Sequence, residues 1–267
     1  MKRKIAVIGV GNMAKAIING MISCEIPANS FFLYDKNPEA CDLYKDTERF
    51  YITDSIASAV NSADCILLSV KPQNFPEVLE IISALPSSAD KLYITIAAGI
   101  TSTSVSDALN GAVVIRVLPN LPMTIGKGVS AICSNEAASK EDFEFVQSIF
   151  ASAGNTLIIN ESEMNRIIGV TSSSPAYVFK FIDAIYKGAK AQGLDEKALL
   201  DAVCDMVIGS ALLLKNSTDS PSCLISKVAS KGGTTERALS ALDAGDFDKT
   251  IELAMKACTL RADELGK

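Results

Sequence analysis

The sequence predicts an α/β protein, with a doubly wound and mostly parallel sheet over residues 1–160 and an all-helical half over residues 161–267. Three observations carry that expectation. The chain opens Ile5-Ala6-Val7-Ile8-Gly9-Val10-Gly11-Asn12-Met13-Ala14, an apolar run broken by a glycine turn and resumed at helical spacing by Ala16, Ile17 and Ile18. Short apolar runs then alternate with helical patterns to about residue 160, the signature of parallel strands joined by helices. Beyond that point the periodicity is helical only.

The elements follow in order. Ile5–Ile8 reads as a buried strand, and its glycine turn has the Rossmann form. The first glycine permits the turn, the second lets backbone approach a pyrophosphate, and the small Ala14 lets the helix sit close to the strand. Free N–H groups at the helix start face the phosphate charge. Gly9, Gly11, Asn12 and Met13 are therefore expected to hold a dinucleotide. Asp35 closes the next apolar run, Phe31–Tyr34, at about the spacing of a ribose-binding carboxylate. Lys36 and Asn37 follow directly and are equipped to grip a 2′-phosphate, so NADPH and NADH both fit. Further strands are expected at Cys65–Val70, Leu92–Ile96, Val113–Val117, Val129–Ile132 and Thr156–Ile159. The strand-end segments Val70-Lys71-Pro72, Ala97-Ala98-Gly99 and Leu118-Pro119-Asn120-Leu121-Pro122 are small or proline-stiffened. Turn chemistry explains each singly. Together with the glycine turn they form a set on the ligand-binding edge, so Val70, Lys71, Pro72, Ala97, Ala98, Gly99 and Asn120 join the expected cofactor site.

Asn160 and Glu163 resemble a capping box where the helical half begins. Helices are expected at about Ser162–Val170, Pro175–Gln192, Glu196–Lys215, Ser222–Ala229, Thr235–Leu242 and Phe247–Leu265, with Gly193 and Asp195 marking one stop and the next start. Ala198–Leu214 is apolar on nearly every face apart from Asp201 and Asp205. A helix of that kind must be covered on all sides, which implies a second subunit. Two segments hold more small polar residues than packing needs. Ser172-Ser173-Ser174-Pro175 contains an ordinary cap in Ser174 and Pro175, plus two further serines. Ser230-Lys231-Gly232-Gly233-Thr234-Thr235 presents backbone N–H groups and hydroxyls suited to a small carboxylate. A flexible turn with a threonine cap explains the second segment equally well.

Composition narrows the chemistry. The chain has 267 residues, 48% of them hydrophobic, a formal charge of −6 and no histidine. The missing imidazole excludes histidine triads, histidine metal sites and histidine acid/base catalysis. Proton transfer falls to a hydroxyl, a carboxylate, a lysine or water. The negative balance argues against a nucleic-acid partner. No apolar stretch approaches membrane-spanning length, and the first residues enter a strand at once, so a soluble, cytoplasmic protein without a membrane partner is expected. Seven cysteines (Cys24, Cys41, Cys65, Cys133, Cys204, Cys223 and Cys258) are scattered and show no C-x-x-C pair. They read as reduced residues, with no metal site.

Several motifs resemble the pyrroline-5-carboxylate reductase family over essentially the whole length. They are Gly9 to Ile17, Val70-Lys71-Pro72-Gln73, Ala97-Ala98-Gly99-Ile100-Thr101, Arg116-Val117-Leu118-Pro119-Asn120, Gly169 to Ala184, and Gly232-Gly233-Thr234-Thr235. The resemblance implies NAD(P)H-dependent reduction of the cyclic imine Δ1-pyrroline-5-carboxylate to L-proline, the last step of proline biosynthesis. It also implies a helical homodimer, or a higher homo-oligomer, whose active site draws on both subunits. Carried over by motif, Thr235 is the hydroxyl nearest the substrate nitrogen. Ser230, Gly232, Gly233 and Thr234 bind the substrate carboxylate, and the Ser172–Pro175 turn, with Ser174 and Pro175, forms the opposite wall of the pocket. Four departures stand out: Leu121 where the family usually has threonine, Lys231 where it has proline, Ser172 where glycine is common, and Lys227 where an uncharged or sulfur-containing residue is usual. They leave open a weakened paralogue that senses nucleotide. A β-hydroxyacid dehydrogenase relative, with Lys180 as its general acid/base, is the rival enzyme.

Overall fold

A computed structural model of the chain describes residues 3–23, 28–194 and 198–266. Cys24, and the Asp195 and Glu196 expected at a helix start, lie outside the described residues. Packing divides the chain into two compact units, Met1–Ser173 with Met255–Lys267, and Ser174–Ala254.

The first unit is built on one sheet. Its strands are β1 (Arg3–Ile8), β2 (Ala28–Tyr34), β3 (Phe50–Ile52), β4 (Cys65–Leu68), β5 (Leu92–Thr95), β6 (Val113–Leu118), β7 (Gly128–Ser134) and β8 (Gly154–Ile158). They lie in the order β3-β2-β1-β4-β5-β6-β7-β8. All pairs are parallel except β6 with β7. The carboxyl ends of β1, β4, β5 and β6 therefore share one edge, as the loop chemistry predicts. β4 and β5 are buried throughout, as expected for central strands covered on both faces. The expected strand at Cys65–Val70 ends at Leu68 and that at Leu92–Ile96 ends at Thr95, which leaves Ser69, Val70 and Ile96 to the edge loops.

Helices α1 (Asn12–Ser23), α2 (Ile56–Asn61), α3 (Phe75–Ser83), α4 (Ser102–Ala108) and α5 (Lys140–Ala151) belong to this unit. Three start on side-chain caps from Ser55, Thr101 and Ser139, each satisfying a backbone N–H of the first turn. In α1, Ala14, Ile17, Ile18 and Met21 form one buried stripe, and each large side chain there contributes on the order of 1.5–3 kcal/mol. One core gathers these residues with Val7, Leu33 and Phe150. A second gathers Ile8, Val60, Phe75 and Val105.

After β8 the chain forms α6 (Met164–Ile167), a π-helical turn at Ile168–Ser172 and α7 (Ser174–Ala191), then α8 (Leu199–Asn216), α9 (Pro221–Val228), α10 (Thr234–Ala244) and α11 (Phe247–Leu265). Ala262 of α11 is buried in a small cluster with Leu118, Ala131 and Met164, so the end of α11 belongs to the first unit. The change of periodicity at residue 160 marks where strands end, whereas packing follows the apolar faces and divides the chain after Ser173. In the second unit Val203 alone among the described residues is buried. No described helix is long and apolar enough to cross a membrane.

Candidate active site

The glycine turn is fixed from both sides. Gly9 takes φ +93°, in the left-handed region that side chains avoid. A Cβ there would lie 3.0 Å from the Ser69 carbonyl carbon and oxygen. The Gly9 N–H donates to the Tyr34 carbonyl at 2.8 Å, and the Ser69 hydroxyl donates to the Gly9 carbonyl. Gly11 faces open space, which leaves room for a phosphate against the backbone. Asp35 binds the turn directly: Oδ2 accepts the Val10 N–H at 2.6 Å and Oδ1 accepts the Asn37 N–H at 2.9 Å. Gly9, Gly11, Asp35, Lys36, Val70 and Lys71 come together around a cavity of about 320 Å³.

Other expected cofactor residues stand elsewhere on the same unit. Asn12 and Met13 head α1, with Met13 packed on the core, and neither lines that cavity. Pro72 opens the short turn after Lys71. Ala97 is buried in the second core, Ala98 packs on the third cluster, and Gly99 lies against Ala262 and Leu265 of α11. Asn120 is buried, and both polar atoms of its amide are engaged. Oδ1 accepts the Val129 N–H at 2.9 Å, and Nδ2 donates to the Thr171 carbonyl at 3.0 Å. Its side chain thus ties the β6 loop to the start of β7 and to the π turn.

Sequence reasoning missed the polar cluster beneath this edge. Arg116, 1% exposed, pairs with Glu161 at 2.6 Å and donates to Asn165 Oδ1 at 2.6 Å. Glu161 Oε2 accepts from the Ser102 hydroxyl at 2.5 Å and the Cys133 thiol at 3.2 Å. Burial pushes the Glu161 carboxyl up, but Ser102 and Arg116 outweigh it and hold it below the ordinary carboxylate value. Burial and Glu161 raise the Cys133 thiol, and burial lifts Cys65 to about 12. Arg116 and Glu161 are far apart in sequence, so no local pattern announces the pair. Ser69 was hidden at the end of an apolar run.

The second unit holds the other expected residues. Ser174 and Pro175 open α7. Gly233 is the N-cap of α10, with its N–H donating to the Ser230 carbonyl at 2.9 Å. A Cβ on Gly233 would meet Ser230 Oγ at 2.6 Å and the Ser230 carbonyl oxygen at 2.9 Å, so a larger residue there must shift the turn. Gly232 stands at φ +75°. Thr234 and Thr235 are the first residues of α10, and no side chain caps that helix start. Glu236, which sequence reasoning passed over, accepts the Gly232 N–H at 2.7 Å. Lys227 is drawn to Asp219 at 2.5 Å. Lys180 is exposed on α7.

A doubly wound sheet with a glycine turn and a cavity at its carboxyl edge defines the class of dinucleotide-binding α/β proteins. Comparison with known proteins narrows the class. Residues 161–265 match the family described as pyrroline-5-carboxylate reductase dimerisation, and residues 4–99 match NADP oxidoreductase coenzyme F420-dependent. The pyrroline-5-carboxylate reductase of Haemophilus influenzae is 37% identical, over 98% of this chain and 97% of that one. The Escherichia coli enzyme of the same name is 33% identical over the full length of both. The solved Streptococcus pyogenes 1-pyrroline-5-carboxylate reductase superposes with a TM-score of 0.90 at 28% identity, covering 98% of this chain and 99% of that one. The Plasmodium falciparum pyrroline carboxylate reductase, solved with NADP bound, gives 0.90 at 25% identity over 99% and 98%. The chain belongs to the pyrroline-5-carboxylate reductase family.

Proposed function

We propose that this chain reduces Δ1-pyrroline-5-carboxylate to L-proline with NADPH or NADH. The observation that carries the reading is full-length kinship with reductases of that name, on a chain whose glycine turn fits a dinucleotide. Bound nicotinamide supplies the hydride. Gly9, Gly11 and the Asp35-anchored turn hold the pyrophosphate and ribose, with Lys36 and Lys71 supplying positive charge at the cavity. Ser230, Gly232, Gly233 and Thr234 hold the substrate carboxylate, while Ser174 and Pro175 lie in the other wall. Thr235 orients the imine nitrogen through its hydroxyl. An imine nitrogen is basic enough to arrive protonated, so positioning is the main demand on the chain. A chain without histidine meets that demand. The working form in this reading is a cytoplasmic homodimer, or a higher homo-oligomer, with a Rossmann domain at 1–160 and a substrate-binding and dimerisation domain at 161–267. It takes no nucleic-acid or membrane partner.

The test follows the loss of NADPH absorbance, and separately of NADH, with Δ1-pyrroline-5-carboxylate, and identifies the product as proline. Thr235→Ala lowers kcat by about 10²-fold and leaves NADPH affinity unchanged, while Thr235→Ser restores much of the rate. Cofactor binding without turnover of the imine would overturn the reading.

A further inference from the structure

The cavity beside the glycine turn has a polar corner that neither that turn nor the end of β2 supplies. Asn74 and Glu77, both exposed, line it from the start of α3, together with the apolar Ile56, Val70 and Val78. The spacing of Asn74 and Glu77 is that of a capping box, and the same two residue types close such a box at Asn160 and Glu163. At α3 they do not. Asn74 takes helical angles, φ −95° and ψ −6°, in place of the extended ones of a capping residue, and its side chain caps nothing. The first turn has little use for a cap, since Pro76 has no N–H and the Phe75 N–H already donates to the Pro72 carbonyl. Among the described residues, neither the Asn74 nor the Glu77 side chain makes a hydrogen bond or ion pair within the chain. Both are left to the cavity.

A carboxylate here is at odds with a ligand that carries phosphates. Lys36 and Lys71 supply the charge that suits phosphate, whereas Glu77 repels it. An ionised carboxylate only accepts hydrogen bonds, so it suits an uncharged part of the dinucleotide that donates them. With the pyrophosphate on the glycine turn and the ribose at Asp35, the apolar wall and the two polar groups of α3 remain for the base. We infer that Asn74 and Glu77 read the adenine of the cofactor. Glu77 accepts from the exocyclic amino group at N6, Asn74 Nδ2 donates to the ring nitrogen N1, and Ile56, Val70 and Val78 line the slot for the ring. These roles rest on the reading of the cavity as the dinucleotide site. They make the chain selective for adenine among purine bases, which a turn that holds phosphate cannot do.

The probe is deamino-NADPH, in which a carbonyl oxygen replaces the adenine amino group and N1 carries a proton, so both contacts meet the wrong partner. Nicotinamide fluorescence measures the affinities of wild type, Glu77→Ala, Glu77→Gln and Asn74→Ala for NADPH, NADH and deamino-NADPH. Wild type should bind NADPH about tenfold more tightly than deamino-NADPH. In Glu77→Ala that preference should shrink to about threefold or less, through weaker NADPH binding. Glu77→Gln should lose the preference from the other side, because its carboxamide can donate to the new carbonyl and tighten deamino-NADPH. Asn74→Ala should weaken NADPH about threefold. Equal binding of the two nucleotides by wild type overturns the inference, as does a Glu77→Ala variant that keeps the full preference. A carboxylate that only repelled the 2′-phosphate would, once removed, tighten NADPH relative to NADH and leave the base preference intact. One that held the ribose would weaken all three cofactors alike, and either pattern overturns the base as its partner. Unchanged NADPH affinity in Asn74→Ala overturns the contact at N1. Failure of the dinucleotide reading looks different: wild type binds none of the three, and this inference falls with it.

Discussion

Two carboxylates show how much a single residue decides here. Asp35 was expected as a reader of the ribose, yet its oxygens already accept the Val10 and Asn37 N–H groups. It is thus a strut of the glycine turn as well as a carboxylate lining the cavity beside it. Asp35→Asn keeps one acceptor for the turn and removes the charge that repels a 2′-phosphate. The ratio of NADPH to NADH affinity should rise about tenfold, equivalent to about 1.4 kcal/mol, when both cofactors are titrated by fluorescence. An unchanged ratio would mean that Asp35 acts only as the strut. Glu161 works by its pairing with buried Arg116. Its carboxyl is held below the ordinary value, so its stabilisation is whole above the unfolded pKa and is lost as pH falls through the lower folded value. Glu161→Gln leaves the Arg116 charge buried without a counter-charge and should cost on the order of 3 kcal/mol at neutral pH. Urea unfolding at pH 7 and at about pH 3 checks both parts: the gap between wild type and variant should narrow in acid. A gap that stays constant would mean the charge of Glu161 is not what stabilises.

At the scale of elements, the α10 turn gives the sharpest expectation. Gly233→Ala drives a Cβ to 2.6 Å from Ser230 Oγ and 2.9 Å from its carbonyl, so the backbone that presents Thr234 and Thr235 must shift. KM for the imine should rise at least tenfold with NADPH affinity unchanged, because the glycine cradle lies in the other unit; a normal KM would show that the turn does not hold substrate. The long elements were legible in the sequence because their periodicity is local. The glycine turn, the central strands and five of the six helices expected in the second half stand where the apolar spacing puts them, within a residue or a few at each described end. β3 was missed because Phe50–Ile52 is too short to show a period and is held by stacking, Phe31 on Phe50 at 4.7 Å. The expected helix at Ser162–Val170 is a short 3-10 turn, α6 and a π turn in succession. Hydrogen-bond registers of that kind are set by tertiary partners such as Asn120 and leave no trace in apolar spacing. The candidate site divides along the same line. Glycine and threonine turns announce themselves, whereas Ser69, the Arg116–Glu161 pair and the Asn120 clamp exist only once distant strands pair.

For the whole molecule, the second unit poses the governing problem. Val203 alone among its described residues is buried, while Ile208 is 56% exposed, Leu212 52% and Leu213 62%. Single exposed apolar residues are ordinary, but a contiguous face of them marks an interaction surface, and a helical unit without a core of its own must acquire one from outside. The family match over residues 161–265 is to a dimerisation region, and the homo-oligomer is the assembly in which these helices gain cover. Ile208 and Leu212 are one helical turn apart and share a face of α8. Replacing both with glutamate puts two charges into the surface to be buried, which should shift the protein to monomer in sedimentation equilibrium and make the remaining activity rise with protein concentration. NADPH should still bind the monomer, since the cavity at Gly9, Asp35 and Lys71 is lined by the first unit alone. If the site draws on two subunits, a Thr235→Ala chain mixed with a chain disabled at Gly11 should regain activity in the hybrid. Each parent would be strongly impaired, one lacking the hydroxyl and the other the cradle. An intact oligomer in the double glutamate variant would place the interface on another face. Full activity in its monomer would show that one chain carries the whole site.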